Sequence, residues 1–186
     1  EEIYNPSDPL MVVKNCDVYN CYMHDMGTEY QSASAIAVGY AAYVNLENNE
    51  IFNVSYSPIH IGLGWTAEIN NVLRHTTVRD NFIHDFNHGG VWDSGGIYVN
   101  GTTSGNLDPY AGIGTNLISG NYIRNMGVGT AALYNDSGAD NWIWEYNVVD
   151  LSESPLWYNN KVGTALNRAQ WLTIGAENGP MLLRNN

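Results

Sequence analysis

The chain has 186 residues, 44% of them hydrophobic, and a formal net charge of −12 with only seven lysine and arginine residues. This length and apolar content are sufficient for one domain with a sizeable core and exclude an intrinsically disordered composition. The acidic balance argues against nucleic acids, polyanionic polymers and anionic membranes as partners, because binding to these requires basic patches, and no apolar run reaches the length of a transmembrane helix.

Five segments of the chain follow one template, in which an apolar residue opens the segment and another follows five residues later. They are 18–25, 46–53, 78–85, 118–125 and 144–151. Four of them carry asparagine at the same turn position, and the first carries Cys21 there; the asparagines are Asn49, Asn81, Asn121 and Asn147. Each template is followed by a variable loop and a second β-strand pattern. The repeat therefore contains at least two strands.

Repeats of this kind cannot bury their apolar faces alone and must stack on one another. The sequence predicts an all-β fold, a right-handed parallel β-helix (solenoid) of about five to six coils, given the five repeats of the template. We expect a single β-helix domain over residues 1–186, either a short member of its class or a fragment of a longer protein. The recurrent asparagines are expected to stack as a structural ladder along the axis.

The second strands of the repeats should alternate inward and outward side chains. The predicted inward column is Ile36, Ile59, Ile97, Leu133 and Leu156. The predicted outward column is Ala37, His60, Tyr98, Tyr134 and Trp157, and Asn100 and Asp136 belong to the next outward column. With adjacent strands about 4.8 Å apart, His60, Tyr98, Tyr134 and Trp157 would form an exposed aromatic strip with a polar flank. Such a strip is typical of sugar-binding surfaces.

Two aspartates adjoin this strip. Asp93 precedes the Tyr98 strand in "WDSGGIYV", and Asp136 ends the Tyr134 strand. Two carboxyl groups are the minimum for glycoside hydrolysis, one donating a proton to the leaving oxygen and one attacking or activating water. A straight segment would hold the two aspartates roughly 23 Å apart along the strands. The pairing therefore requires the Ser94-Gly95-Gly96 segment to bend.

Other residues are candidates for supporting roles in this site. Trp92 and Tyr98 are expected to shield Asp93 from water, which would suit a proton donor, and Asn135 and Asn100 to donate hydrogen bonds to Asp136, which would suit a nucleophile. His88 is expected to line the groove and orient Asp93. His60 and Asn100 are expected to bind sugar hydroxyls, and Trp65 to wall a subsite. A stacked surface histidine and a loop anchor are the plain alternatives for His60 and Trp65.

Several segments of the chain together resemble a known class of proteins. They are "YQSASAIAVGY", "YSPIHIGLGW", "VRDNFIHD", "DSGGIY", "ISGNYIRN" and "ALYNDSG", and they span most of residues 15–160. They resemble bacterial right-handed parallel β-helix carbohydrate-active proteins, particularly those of glycoside hydrolase family 141. The resemblance implies a retaining enzyme that acts on plant cell-wall glycans, with fucosidase or xylanase activity and with Asp93 and Asp136 as the catalytic pair. Relatives often carry Asp-Glu-Gly where this chain has Asp136-Ser137-Gly138.

The expected function is accordingly that of a glycoside hydrolase whose partner is an oligosaccharide or polysaccharide, without a cofactor, and located extracellularly, at the cell surface or in the periplasm. One alternative is a polysaccharide lyase or epimerase, which needs cations or Ca²⁺ to neutralise a uronate. The basic residues near the predicted coils are few, namely Arg74, Arg79, Arg124 and Lys161. A Ca²⁺ site formed by Asp108, Asp136 or Asp140 would favour this alternative. The other is a non-catalytic glycan-binding or structural module, which the missing acid after Asp136 favours.

Overall fold

The computed structural model describes residues 8–62, 72–101, 116–154, 170–174 and 181–186, together with the backbone of Trp157–Tyr158 and Leu166–Asn167. This part of the chain is all-β, with 18 strands and one short 3-10 helix over Pro9–Met11, and it contains no α-helix. Among the same residues, no helix is long and apolar enough to cross a membrane.

Sixteen of the strands form three parallel sheets. Sheet A contains, in spatial order, β1 (Val13–Tyr19), β4 (Ala41–Glu47), β7 (Arg74–Arg79), β10 (Asn116–Ser119), β13 (Trp142–Glu145) and β18 (Met181–Arg184). Sheet B contains β2 (Tyr22–Met26), β5 (Glu50–Val54), β8 (Phe82–Phe86), β11 (Tyr122–Met126) and β14 (Val148–Asp150). Sheet C contains β3 (Ile36–Val38), β6 (Ile59–Ile61), β9 (Gly95–Asn100), β12 (Ala131–Asp136) and β17 (Gln170–Ile174).

Consecutive strands visit the three sheets in turn, so that each repeat contributes one strand to sheets A, B and C. Repeat 1 comprises β1–β3, repeat 2 β4–β6, repeat 3 β7–β9, repeat 4 β10–β12, and repeat 5 β13, β14 and β17. This arrangement is consistent with the predicted parallel β-helix, and it contains three strands per repeat.

The inward column of sheet C is confirmed over four repeats. Ile36 pairs with Ile59, Ile59 with Ile97, and Ile97 with Leu133. All four belong to the main hydrophobic core and are at most 9% exposed. Burying each of these side chains stabilises the fold by about 1.5–3 kcal/mol, so the column ties neighbouring repeats together.

The predicted columns are wrong in the fifth repeat. β17 pairs with β12, so that Leu172 follows Leu133 and Thr173 follows Tyr134. Trp157 instead belongs to β15 (Trp157–Tyr158), which pairs antiparallel with β16 (Leu166–Asn167). Because these two strands are close in sequence, their pairing costs little loop-closure entropy. Leu156 lies outside the described residues.

The asparagine ladder is present at the corner between sheets A and B. In each step, a side-chain amide oxygen accepts hydrogen bonds from the backbone N–H and the side-chain Nδ2 of the asparagine in the preceding repeat, over distances of 2.8–3.2 Å. Each Nδ2 also donates to the carbonyl oxygen of the next-to-last residue of the sheet A strand in the preceding repeat. The members are Asn49, Asn81, Asn121, Asn147 and, not foreseen from the sequence, Asn186.

The corner has a second requirement. The residue before each ladder position adopts a left-handed backbone. The φ angles lie between 53° and 69° at Asn20, Asn48, Asp80, Gly120, Tyr146 and Asn185. Asparagine, aspartate and glycine tolerate this region best, which explains their recurrence. Cys21 lacks a ladder side chain, but its backbone N–H still donates to the Oδ1 atom of Asn49 at 2.9 Å.

His24-Asp25 and His84-Asp85 end two of the template segments, and these His-Asp pairs are also structural. His24 Nδ1 lies 2.7 Å from an Asp25 carboxyl oxygen, and His84 Nδ1 lies 2.6 Å from that of Asp85. The two imidazoles stack on opposite faces of Phe52 in sheet B, with ring centroids 5.0 and 4.9 Å away. These histidines therefore pack within sheet B.

Replacing Asn81 by alanine should destabilise the protein strongly. The Asn81→Ala variant leaves the backbone N–H and side chain of Asn49 and the carbonyl oxygen of Leu46 without their partner. At roughly 1 kcal/mol or more for each of these buried groups, we expect a loss of about 3 kcal/mol and a Tm lower by about 6–12 °C. Urea and thermal unfolding followed by circular dichroism measure both.

The matched control for this variant is Asn45→Ala, because Asn45 makes a side-chain bond to the exposed Asp17 at 2.7 Å. We expect Asn45→Ala to cost less than about 1 kcal/mol. Equal effects of the two substitutions would contradict a stabilising role for the ladder.

Candidate active site

The outward column of sheet C is stacked but not exposed. The Tyr98 ring lies 4.6 Å from that of His60 and 4.5 Å from that of Tyr134, with interplanar angles of 1° and 11°. Tyr98 is 1% exposed and Tyr134 is 6% exposed, and Tyr56 packs against this cluster. The prediction of an exposed aromatic strip is therefore wrong. The His60 and Tyr134 rings cover both faces of Tyr98, and Tyr134 is too buried for a sugar ring to stack on it.

The tyrosines present their hydroxyl groups to the two aspartates. Tyr98 donates a hydrogen bond of 2.8 Å to Oδ2 of Asp136, and Tyr134 donates one of 2.7 Å to Oδ1 of Asp93. Each bond runs between neighbouring repeats, because Tyr98 and Asp93 belong to repeat 3 and Tyr134 and Asp136 to repeat 4. The two bonds cross between the repeats and bring both carboxylates to the ends of one pair of stacked rings.

The stacking limits the distance between the carboxyl groups. Tyr98 and Tyr134 are in register on neighbouring strands and their rings are nearly parallel, so their hydroxyls are about one strand spacing apart. With the two hydrogen bonds added, the accepting oxygens of Asp93 and Asp136 lie within about 10 Å of each other. This limit covers the separations used by two-carboxylate glycosidases, which are about 5–5.5 Å in retaining and 6.5–9.5 Å in inverting enzymes.

The chain bends at Asp93 itself rather than at the glycines that follow it. Asp93 has a left-handed φ of 59°, whereas Gly95 and Gly96 already lie in β9. A Cβ atom at Gly95 would come within 2.9 Å of the Tyr134 Cβ and 2.6 Å of the Ala131 carbonyl oxygen. Glycine at position 95 therefore lets the Tyr134 side chain pass close to the backbone on its way to Asp93.

The environment keeps both phenols protonated. Burial is the largest cause that raises the pKa of Tyr98, followed by its hydrogen bond to the Asp136 carboxylate. Burial likewise raises the pKa of Tyr134, followed by its hydrogen bond to Asp93, and the Asp136 carboxylate adds to the shift. The Tyr134 hydroxyl thus interacts with both carboxylates. Both tyrosines are hydrogen-bond donors at neutral pH.

Two residues of repeat 2 hold Asp93, and the sequence analysis missed both. The Tyr56 hydroxyl donates to the Asp93 carbonyl oxygen at 2.8 Å, and the Ser57 hydroxyl accepts from the Gly95 backbone N–H at 3.0 Å. Burial and the Asp93 carboxylate raise the pKa of Tyr56. The available signal was the "SYS" turn directly before β6. Its tyrosine precedes β6 and falls outside the period-2 columns, which indicate only residues within the strands.

The loop that carries Asp93 is closed at its base. Asn87, which is buried, donates side-chain hydrogen bonds to the Ser94 hydroxyl and to the Val128 carbonyl oxygen of repeat 4. The Ser94 carbonyl oxygen accepts from the Thr130 backbone N–H at 2.9 Å. Residues 87–94 are therefore anchored to both neighbouring repeats.

The residues that contact the two aspartates differ from those predicted from the sequence. Asp93 is exposed and Trp92 is 53% exposed, so the shielding of Asp93 by Trp92 and Tyr98 is wrong. The donor to Asp136 is the Tyr98 hydroxyl, while the Asn135 side chain donates to the Ala139 carbonyl oxygen at 3.0 Å. The reason is geometric, since Asn135 is fully buried, whereas the long Tyr98 side chain reaches across to Asp136 on the neighbouring strand.

The remaining predicted residues are distributed as follows. Asn100 pairs in register with Asp136 but is fully buried, with its backbone against Gly62. His88 is exposed and lies against Gly127, and no hydrogen bond joins it to Asp93 in the described part of the chain. Trp65 lies outside the described residues, and only the backbone of Trp157 is described.

The charge around the site is negative. Among the described strands of sheet C, none contains lysine or arginine. The described ion pairs of arginine lie on sheets A and B, where Arg79 contacts Glu47 and Arg124 contacts Glu153. Within the residues that the structure describes, no group of three or more His, Cys, Asp or Glu side chains is arranged to hold a metal ion. The site is chemically suited to proton transfer on a neutral ligand.

Comparison with known proteins supports the fold. One solved structure, titled "Glycoside hydrolase", matches with a TM-score of 0.71 and 23% sequence identity. The match covers 98% of this chain and 27% of that protein, so the chain spans about a quarter of its length. At this identity the likeness shows a shared fold alone. No protein-family model matches the chain, and no curated protein matches it either.

Alkaline titration should separate the two site tyrosines from exposed ones. Because the pKa of Tyr98 and Tyr134 in the folded protein is above the ordinary value of 10.0, they should stay neutral when exposed tyrosines ionise. The raised pKa values make a contribution to the free energy of unfolding that is constant below about pH 10 and is lost as pH rises further. The reason is that these tyrosines ionise at a lower pH in the unfolded chain than in the folded protein. Phenolate absorbance, followed with pH alongside circular dichroism, measures both effects.

The Asp136→Asn substitution should lower the pKa of Tyr98, because it removes a hydrogen-bonded carboxylate. The matched control is Asp17→Asn on exposed β1, which should leave the titration unchanged. An Asp136→Asn curve that superimposes on that of the parent protein would contradict the phenol–carboxylate pairing.

Proposed function

We propose that this chain is a right-handed parallel β-helix glycoside hydrolase that cleaves a neutral cell-wall polysaccharide with Asp93 and Asp136 as its catalytic pair. The proposal includes a location outside the cytoplasm, where such a substrate occurs. The main support for this proposal is the pair of crossed hydrogen bonds from Tyr98 to Asp136 and from Tyr134 to Asp93. These bonds hold the two carboxyl groups within about 10 Å of each other. The solved structure of similar fold titled "Glycoside hydrolase" supports the same class of chemistry.

The reaction needs two carboxyl groups in different states. One is protonated and gives its proton to the glycosidic oxygen as the bond to the anomeric carbon breaks, and the other is ionised and attacks that carbon or activates a water molecule. Asp93 and Asp136 divide these tasks between them. The neutral Tyr98 and Tyr134 hydroxyls orient the two carboxyl groups, as each donates a hydrogen bond to a carboxyl oxygen.

The charge of the site argues for a neutral substrate. A uronate would bring a further negative charge to Asp93 and Asp136, while sheet C offers no lysine or arginine in its described strands. A lyase or epimerase needs such cations, or a metal ion, to stabilise the enolate formed next to a carboxylate. Cleavage of a neutral sugar needs neither a cation nor a metal ion for this purpose.

A non-catalytic glycan-binding module is the second candidate, and one residue favours it. Ser137, with a left-handed φ of 41°, stands directly after Asp136, where the proteins that the sequence resembles often carry an acid. If that acid is necessary for turnover, the chain would bind a glycan without cleaving it. The two candidates differ in one measurable result, the release of reducing ends.

Hydrolysis should depend on both aspartates. Xylan, xyloglucan and polygalacturonate are incubated separately with the protein, and released reducing ends and unsaturated products are measured. We expect reducing ends from a neutral polymer only, and a loss of about 100-fold or more in rate for Asp93→Asn and for Asp136→Asn, since each removes a group needed for proton transfer or attack.

The matched control is Asp17→Asn, which changes an exposed carboxylate on sheet A and should leave the rate unchanged. Binding without reducing ends would support the glycan-binding module, and unsaturated products from polygalacturonate would support the lyase. Full activity of Asp93→Asn would refute the two-aspartate mechanism.

A further inference from the structure

Repeat 1 presents three strand edges that have no partner among the described residues. The strands β1, β2 and β3 are the outermost described strands of sheets A, B and C, and each pairs with its counterpart in repeat 2 alone. The backbone N–H and C=O groups along such edges form a template for pairing with another chain. Repeat 1 is therefore a surface to which further strands can be added.

The same end of the described stack is apolar. An open cavity of about 330 Å³ lies there, and Val13, Val18 and Ile36 are among its lining residues. Val13 is 59% exposed, and Leu10 and Met11, which precede β1, are exposed as well. Exposed apolar surface beside unpaired strand edges is typical of a contact with another protein chain. A fitting partner offers both a strand edge and an apolar surface, as a second copy of this chain does.

Cys21 restricts the direction in which a second copy can stack on this edge. Stacking in the same direction would extend the ladder, in which each asparagine donates to the side-chain oxygen of the next member. Cys21 has no such oxygen, so Asn186 of the second copy would find no acceptor. The same register would place Leu182, four residues before Asn186, against Asp17, four residues before Cys21. Covering a carboxylate with leucine is unfavourable.

Stacking in the opposite direction brings complementary charges together. A two-fold axis between Asn15 and Cys16 would pair two β1 strands antiparallel, with Lys14 of each copy opposite Asp17 of the other. Both side chains are exposed, and the described ion pairs are formed by arginine and histidine rather than by Lys14. Opposite charges at directly facing positions stabilise a strand pair. Because the axis repeats every contact, this pair occurs twice.

The same register also matches apolar residues. It places Val13 opposite Val18, and both line the cavity. Val18 follows Val13 by five positions, so the two would point to opposite faces of a regular strand. Asn15, with a left-handed φ of 56°, interrupts the alternation and allows both to face inward. Valine then meets valine at the cavities, and Lys14 meets Asp17 away from them.

We propose that two copies of this chain form a head-to-head dimer through repeat 1, with paired β1 strands, joined apolar cavities and two Lys14–Asp17 ion pairs. The contact is isologous, so it closes with two copies and leaves neither repeat 1 edge free. Asp93 and Asp136 belong to repeats 3 and 4, away from this contact. The dimer therefore goes beyond the proposed function and does not depend on it.

Charge reversals test this register. Lys14→Asp and Asp17→Lys each place like charges opposite one another, and the double variant Lys14→Asp/Asp17→Lys restores opposite charges. Sedimentation equilibrium at micromolar concentrations should give the parent protein and the double variant twice the single-chain mass of 20.6 kDa. We expect each single reversal to raise the dimer Kd by about tenfold or more, because like charges that face each other across an interface repel.

The matched control is Arg184→Asp, which reverses an exposed charge on β18, at the other end of sheet A, and should leave the Kd unchanged. Far-UV circular dichroism checks that each variant is folded. Where a single variant does not fold, the double variant decides, because it carries both substitutions with the charges matched.

Several results would overturn the dimer. One is a parent protein that stays monomeric, and another is association that neither single reversal weakens. A mass that keeps rising with concentration would indicate head-to-tail filaments instead, which Arg184→Asp would then affect. A double variant that does not recover the parent Kd would refute the pairing of Lys14 with Asp17. Release of reducing ends is measured separately, so either proposal can fail without the other.

Discussion

The asparagine ladder between sheets A and B is the interaction on which the rest of the structure depends. It joins equivalent residues of successive repeats, although the spacing between Asn49, Asn81, Asn121 and Asn147 varies from 26 to 40 residues. The ladder therefore fixes the strand register independently of loop length. Register matters because a slip of one residue would turn every side chain to the opposite face of its strand.

Register in turn builds the candidate site. It brings the Tyr98 ring onto those of His60 and Tyr134, and the rings then protect one another from water. The stacked rings are too far inside the protein to serve as a platform for a sugar. The tyrosine side chains are long enough for the Tyr98 hydroxyl to reach Asp136 and the Tyr134 hydroxyl to reach Asp93. The aromatic column therefore supports the two carboxyl groups. The hydrogen bonds also hold the two carboxyl groups in place on a sheet whose described strands contain no lysine or arginine.

The sequence predicted the regular part of this architecture well. Period-2 alternation correctly identified the inward column from Ile36 to Leu133, and the recurrent asparagines correctly indicated the ladder. Alternation also put Tyr98 and Tyr134 in one column, but it says nothing about what covers that face, so their burial was not foreseen. The pairing of Asp93 with Asp136 was expected to require a bend at Ser94-Gly95-Gly96. The bend occurs at Asp93 instead, and the long Tyr134 side chain spans part of the remaining distance.

The length of the segment before β9 distinguishes repeat 3 from its two neighbouring repeats. The segment between sheets B and C has four residues in repeat 2, 55–58, and four in repeat 4, 127–130, but eight in repeat 3, 87–94. A long loop between two short ones can fold over either neighbour, and this loop contacts both, through Tyr56 on one side and Val128 on the other. Asp93 comes from that loop, while Asp136 comes from the end of a regular strand. The regular strands therefore supply Asp136 and the stacked rings, and the longer loop supplies Asp93. Functional residues of repeat proteins often lie in such loops, because a loop can differ between repeats while the strands stay the same.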